Sequence, residues 1–286
     1  MKIKTLIISL ALCSLVACEF KKNITTSLTT KGNGLSCKDI YLTIDNKQIN
    51  RNTFVYGEKF NLNFDNINGF NKENNYAFPG LKLLISNQKG DTIMYNSDLY
   101  ANAVSGYNIS PLLLKTSITV ANPINSNNNY IMHINIWDKK GEGTYNAKID
   151  FNVIPNKHIK VKSNTISYKN IYLFSEEKEQ FITNNKVKLN ENIYLLFEGL
   201  EGFKTENGEA LIGLSVIAKD SKGKILLTEK DLIGNVAMKT VELNNQVAPF
   251  FKFSDTTYTN PIICEVTIWD KRSSANIKTT LNLEVN

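Results

Sequence analysis

Met132-His133-Ile134-Asn135-Ile136-Trp137-Asp138-Lys139 and Cys264-Glu265-Val266-Thr267-Ile268-Trp269-Asp270-Lys271 decide how this chain is read. Each alternates apolar and polar residues and closes on the same Ile-Trp-Asp-Lys, and together they hold both tryptophans of the sequence. Strict alternation marks a strand with one face on a core and the other in water, the habit of antiparallel sheets. Working outward, three more blocks recur in the same order at an offset of 131 to 133 residues. Ser36 to Leu42 (SCKDIYL) matches Ser167 to Leu173 (SYKNIYL), and Glu58 to Phe70 (EKFNLNFDNINGF) matches Glu191 to Phe203 (ENIYLLFEGLEGF). Lys89-Gly90 with Asp98-Leu99 matches Lys222-Gly223 with Asp231-Leu232. A period this long means two copies of one domain, not a solenoid of small units.

Each copy reads as all-β. Phe60 to Phe64 alternates, as do the closing segments Ile149 to Val153 and Leu281 to Val285. Leu81 to Ser86 and Leu214 to Ala218 read as strands, the second entering a Ser-Lys-Gly turn at residues 221–223. About seven strands in about 120 residues, without a stretch of helical period, predict an antiparallel β-sandwich of immunoglobulin-like type. The expected layout is one sandwich over residues 35–155, a linker over 156–164 and a second sandwich over 165–286. The joining stretch Pro155 to Ser163 (PNKHIKVKS) is short and basic, so the pair is expected to have a limited hinge.

At the N-terminus, Lys2 and Lys4 precede an apolar run, Leu6 to Ala17, that ends in Leu15-Val16-Ala17-Cys18. The run is too short to span a bilayer, which takes about 20 residues. The arrangement resembles a bacterial lipoprotein signal peptide, which implies removal of residues 1–17 and lipidation of Cys18. The triacylated cysteine so implied would be a stable anchor, since a single acyl chain holds a membrane only marginally. Residues 18–34 then read as the lipidated Cys and a flexible tether, polar and rich in Thr, Asn and Gly, reaching at most about 50 Å. In Bacteroidota lipoproteins an acidic run after the cysteine resembles a surface-export signal. Glu19-Phe20-Lys21-Lys22 departs from it, so the resemblance favours the periplasmic face of the outer membrane, with surface exposure as the alternative. The Asn-rich, Lys-rich composition looks like that of a low-GC bacterium such as these.

Loss of Lys2 and Lys4 lowers the formal charge from +6 to +4, and no tract exceeds two or three basic residues, which argues against a nucleic-acid partner. Once Cys13 leaves and Cys18 is lipidated, Cys37 and Cys264 remain, at different repeat positions, without metal-ligand spacing. Cys264 shares a face with Val266 and Ile268 and reads as a buried thiol. His133, on the polar face of a strand, and His158, in the linker, lack neighbours that would orient a catalytic base. Glu176, Glu177 and Glu179 read as a solvated loop, and Asn23-Ile24-Thr25 and Asn108-Ile109-Ser110 match a glycosylation pattern without meaning in most bacteria. No cofactor or metal site is expected. A paired-carboxylate glycosidase would assemble only in space, and small sandwiches offer little room for its cleft.

Trp137 and Trp269 are the candidates for ligand or partner contact. On the strand face away from the core, each could stack on a sugar or anchor a protein, or pack structurally in both copies alike. Gly69-Phe70 and Gly202-Phe203 read as turn and core. The chain is therefore expected to be a membrane-anchored, non-enzymatic envelope lipoprotein that binds or scaffolds another protein, as a secretion-machine accessory or an immunity protein would. The alternative is a glycan-binding surface lipoprotein of a polysaccharide-uptake system. Both rest on fold-level analogy.

Overall fold

A computed structural model describes residues 20–23, 25–254 and 257–286. Residues 1–17 and Cys18 lie outside the described residues, as does Ile24. The chain forms two immunoglobulin-like sandwiches. In the first, one sheet runs in the order Leu28–Asn33, Thr144–Ile154, Asn128–Asp138, Pro79–Asn87, Thr92–Asn96, all antiparallel, with Phe20–Asn23 outside Leu28–Asn33. Thr53–Val55 pairs parallel with the end of Thr144–Ile154. The facing sheet runs Lys47–Ile49, Ser36–Ile44, Lys59–Asn68, Leu114–Thr119.

The second sandwich repeats this order with Ile159–Asn164, Asn276–Val285, Ile262–Asp270, Glu209–Lys219 and Ile225–Glu229, and Lys186–Val187 again pairs parallel at the end of Asn276–Val285. Its facing sheet runs Gln180–Ile182, Asn170–Ser175, Ile193–Glu198, Phe250–Phe251. Two short strands, Thr205–Glu206 and Ala237–Lys239, and a six-residue helix, Thr240–Asn245, are additions of the second copy. None of the described helices is long and apolar enough to cross a membrane. The alternating residues do fill the cores: Met132, Ile134 and Ile136 in the first, Cys264, Val266 and Ile268 in the second. The first core is aromatic, with Phe54 stacked on Phe60 at 4.0 Å and Phe151 edge-on to both.

Two sequence expectations are corrected. The stretch 18–34 is not a free tether over its described part, because Leu28–Asn33 pairs along Thr144–Ile149 and Leu28 is buried. Likewise the linker 156–164 is mostly strand: Ile159–Asn164 pairs along Asn276–Leu281. Ile159–Asn164 is an edge strand anchored by buried Ile159, whereas Leu28–Asn33 lies between Thr144–Ile154 and Phe20–Asn23 with Leu28, Thr30 and Gly32 buried. Each has one large buried apolar side chain among small polar and Lys residues, a composition that mimics a spacer. The true connection is residues 155–158. Asn156 within it is buried and donates its side-chain amide to the Ile182 carbonyl at 3.2 Å.

The hinge is closed by a packed interface. The outward face of the second domain's 170–175 and 193–198 strands carries Tyr172, Phe174, Tyr194 and Leu196, which pack against the first core cluster. Tyr56 lies 5.2 Å from Tyr172 and 6.0 Å from Phe181. Glu198 accepts hydrogen bonds from the hydroxyls of Tyr56 (3.2 Å) and Tyr172 (2.8 Å) and from the Asn170 amide (3.0 Å). Burial first, then that carboxylate, pushes both phenols far up, so they remain donors. Buried Asn170 also accepts from the backbone N–H and hydroxyl of Ser126 in the first domain.

The start of each domain passes through a left-handed residue, Gly34 (φ 74°) in the first and Thr165 (φ 70°) in the second. A β-branched residue is strained there, whereas glycine is not. Thr165→Gly is therefore expected to raise the stability of the second domain by about 1 kcal/mol and Gly34→Thr to lower that of the first by at least as much. Thermal denaturation checks both; a lower midpoint for Thr165→Gly would contradict the assignment.

Candidate functional site

The Ile-Trp-Asp-Lys motif ends the central strand of each sandwich and binds two remote connections to it. Asp138 is buried and accepts from the backbone N–H of Asn71 (2.6 Å) and Lys140 (3.0 Å). Asp270 does the same with Lys204 (2.6 Å) and Arg272 (2.8 Å), and adds the Ser273 hydroxyl. Lys139 pairs with Asp98 at 2.7 Å, and Lys271 with Asp231 at 2.5 Å. Asp98 in turn accepts from the N–H of Leu81 and Tyr100, and Asp231 from that of Leu214, Ile233 and Gly234. The matching blocks at residues 69–70, 98–99 and 136–139 thus meet in one knot. A further shared acid is also structural: Glu58 holds Val55 N–H and Arg51, and Glu191 holds Lys188 N–H and Lys178.

The tryptophans belong to this knot in a specific way. Trp137 pairs across the sheet with Gly80, and Trp269 with Gly213. A Cβ on Gly80 would fall 2.1, 2.2 and 2.7 Å from three atoms of the Trp137 ring, and one on Gly213 2.1, 2.2 and 2.8 Å from the Trp269 ring. Three such distances place each glycine beneath the ring face, not at its edge. Each indole therefore lies flat on the outer sheet surface, one face on backbone and half-buried overall. It covers a glycine, and does not plug the end of the core.

The other sequence candidates stay apart. Cys37 and Cys264 are buried in different domains, and burial pushes the Cys264 thiol far up. His133 is exposed on the first sheet; burial, then Lys148, lowers its pKa below the usual histidine value. His158 sits in the connection. Glu176 and Glu177 accept hydrogen bonds from Asn192. Among the described residues no group of three or more His, Cys, Asp or Glu is placed to hold a metal. A cleft of about 530 Å³ lies between the domains and carries charges of both signs, among them Glu58, Lys59, Lys178 and Glu179.

A surface that sequence reading missed lies beside the knot. Exposed large apolar side chains concentrate in two equivalent segments, Tyr95, Leu99, Val104, Ile109 and Leu113 in the first domain and Ile225, Leu232, Val236, Val241 and Phe250 in the second. Val104 is 81% exposed and Val236 62%. Both segments are pinned at their base by the motif lysine, since Lys139 also donates to the Tyr100 carbonyl (3.0 Å) and Lys271 to that of Gly234. Leu112-Leu113-Leu114, an apolar run with no strand alternation, was the available sequence signal.

No protein-family model and no curated protein matches the chain. Among solved structures, one named pT26-6p aligns over 94% of this chain and 66% of its own length, at 7% identity and a TM-score of 0.29. A DUF3823 family protein from Bacteroides ovatus aligns over 72% of this chain and 88% of its own, at 11% identity and a TM-score of 0.22. The Bacteroides uniformis β-glucuronidase aligns over 78% and 26%, at 10% identity and a TM-score of 0.25. Scores this low carry no argument.

Two outcomes follow from the knot. Gly80→Ala should cost about 1–3 kcal/mol by driving its Cβ into the indole, and Trp137→Ala a similar amount by uncovering the strand. In the Trp137→Ala background the Gly80→Ala cost should largely vanish, and additive losses in a double-mutant cycle would refute the stacking. Asp98 has its pKa raised by burial but lowered more by Lys139 and two backbone N–H groups, while in Asp231 the bond from Lys271 leads and burial opposes it. Both thus lie below the ordinary carboxylate value, so their stabilisation is present above about pH 4 and lost as pH falls through the folded pKa. Asp98→Asn with Asp231→Asn should flatten that acid limb in pH-dependent melting.

Proposed function

We propose that this chain is a lipid-anchored, non-enzymatic envelope protein that docks or scaffolds another protein along the flank of its two sandwiches. The observation that carries the reading is the placement of exposed apolar side chains. Among the described residues, ten of the thirteen exposed large hydrophobic residues fall in the segments 95–113 and 225–250, and three of them in each copy (Leu99, Val104 and Ile109; Leu232, Val236 and Val241) lie in corresponding parts of the two excursions. Single exposed hydrophobics are ordinary, but their concentration in the corresponding excursions of both copies supports a docking surface. The lysine ties at their base and the closed interface between domains support it, because they hold both patches in fixed positions and limit the entropy lost on binding.

The anchor is Cys18, and the expected site is the outer membrane, on the periplasmic face. Strand pairing begins at Phe20, two residues after Cys18, so the first domain would sit close to the membrane and not at the end of a long tether.

Cys18→Ser should move the protein from the membrane to the soluble fraction and abolish palmitate labelling; a variant still labelled would refute the anchor. Leu99→Asp with Val104→Asp, and separately Leu232→Asp with Val236→Asp, should change stability by no more than about 0.5 kcal/mol per site while weakening partner crosslinking in intact cells. Crosslinking from position 104 equal to that from Asn63, on a polar face, would overturn the docking surface.

A further inference from the structure

The outer face of the larger sheet of the first domain carries a second surface with a different chemistry. Register aligns its side chains in rows across four strands. Trp137 and Thr144 lie between Gly80 and Asn33; the next row is Lys82, Asn135, Asn146, Lys31; the next is Leu84, His133, Lys148, Thr29. These face away from the core, because the residues between them along each strand are the buried ones. The second and third rows line a shallow trough of about 390 Å³.

Its polar groups are open to a ligand. Asn135 donates to the Asn146 carbonyl oxygen at 2.9 Å, which orients the two amides side by side and leaves the Asn135 oxygen and the Asn146 NH₂ without a partner among the described residues. Lys82 ends that row and Lys31 stands between Asn146 and Phe20; neither lysine forms an ion pair among the described residues, whereas Lys148 is shared with Asp150 at 3.3 Å. Neighbouring strands lie about 4.8 Å apart, so the two free ammonium-bearing residues stand about 14 Å apart at the backbone. Beside the row, the indole of Trp137 turns one ring face outward.

We propose that this face binds an acidic polysaccharide, with Trp137 stacking on a pyranose ring, Asn135 and Asn146 taking hydroxyls, and Lys31 and Lys82 taking carboxylate or sulfate groups two or three sugars apart. The parts match that ligand and no other macromolecule as well. A flat ring face suits the C–H face of a sugar, paired amides suit vicinal hydroxyls, and unpaired lysines require anions. Cores of protein interfaces are depleted in lysine, and a nucleic-acid site gathers more basic residues on one face than this row holds. The second copy serves as the internal contrast. It keeps Trp269 on Gly213 and has Lys162 in place of Lys31, but Thr267 and Ser215 stand in place of Asn135 and Lys82, and Lys278, in place of Asn146, is paired at 2.9 Å with Glu265, in place of His133. The tryptophan and one lysine of the row are retained; the paired amides and the second lysine, Lys82, are particular to the first domain.

Affinity electrophoresis of the detergent-solubilised full chain through gels holding polygalacturonate, chondroitin sulfate or neutral dextran tests this. Retardation is expected in one or both acidic gels, the difference reporting carboxylate or sulfate preference, and none in dextran. Lys31→Gln with Lys82→Gln should weaken binding about tenfold, the effect of two charge contacts of about 0.7 kcal/mol each. Lys160→Gln with Lys162→Gln, on the second domain, should not. Trp137→Phe, with circular dichroism confirming the fold, should weaken binding as well. Equal loss from the two lysine pairs, equal retardation in dextran, or no retardation in either acidic gel would overturn the proposal. Leu99→Asp with Val104→Asp should leave retardation unchanged, so this site and the protein-docking flank stand or fall separately.

Discussion

Asp138 and Lys139 are adjacent in sequence and point to opposite sides of their strand, and the sandwich is assembled around that divergence. The carboxylate turns inward to the backbone of Asn71; the ammonium turns outward to Asp98. One strand end thereby fixes the crossing between sheets and the base of the long excursion that follows the sheet's edge strand. Backbone N–H groups that would otherwise be left unpaired find a charged acceptor, which makes these bonds stronger than neutral ones. The second domain repeats the arrangement with Asp270, Lys271 and Asp231. The tryptophan between strand and turn is held by the same geometry, lying flat because the neighbouring strand offers a glycine.

On this common frame the copies have acquired different surfaces. In the first domain the outer face of the smaller sheet is polar, with Thr43 receiving hydrogen bonds from Asn61 and Asn63. At the equivalent positions the second domain has Phe174, Tyr194 and Leu196, because that face is covered by the end of the first. Conversely the larger sheet carries paired amides, Asn135 and Asn146, only in the first domain. What the copies share is therefore turns, caps and ties, and what distinguishes them is where each meets something else.

The all-β class and the duplication were legible because alternation and recurrence are local properties of the chain, and the repeated Ile-Trp-Asp-Lys pointed to the knot without revealing its partners. Leu28–Asn33 and Ile159–Asn164 were not legible: a strand that buries one large apolar side chain among small polar and Lys residues looks like a spacer. The interface was written in the sequence as a broken alternation. Phe60-Asn61-Leu62-Asn63-Phe64 became Ile193-Tyr194-Leu195-Leu196-Phe197, a strand buried on both faces, and only comparison of the two copies exposes it. The apolar flank could not be read, because exposure is decided by packing and not by residue type.

The contact between the domains joins the end of one sandwich to the face of the next, a head-to-tail geometry. Such contacts are not self-limiting: if every copy offered both surfaces, the free end of the second domain could seat on the face of another molecule's first, and so on into a fibre. Here propagation stops after one step, because the face that the next molecule would need is the one carrying Thr43, Asn61 and Asn63, groups that already satisfy one another and offer no apolar seat. The polar first copy acts as a cap, and the duplication yields a closed pair.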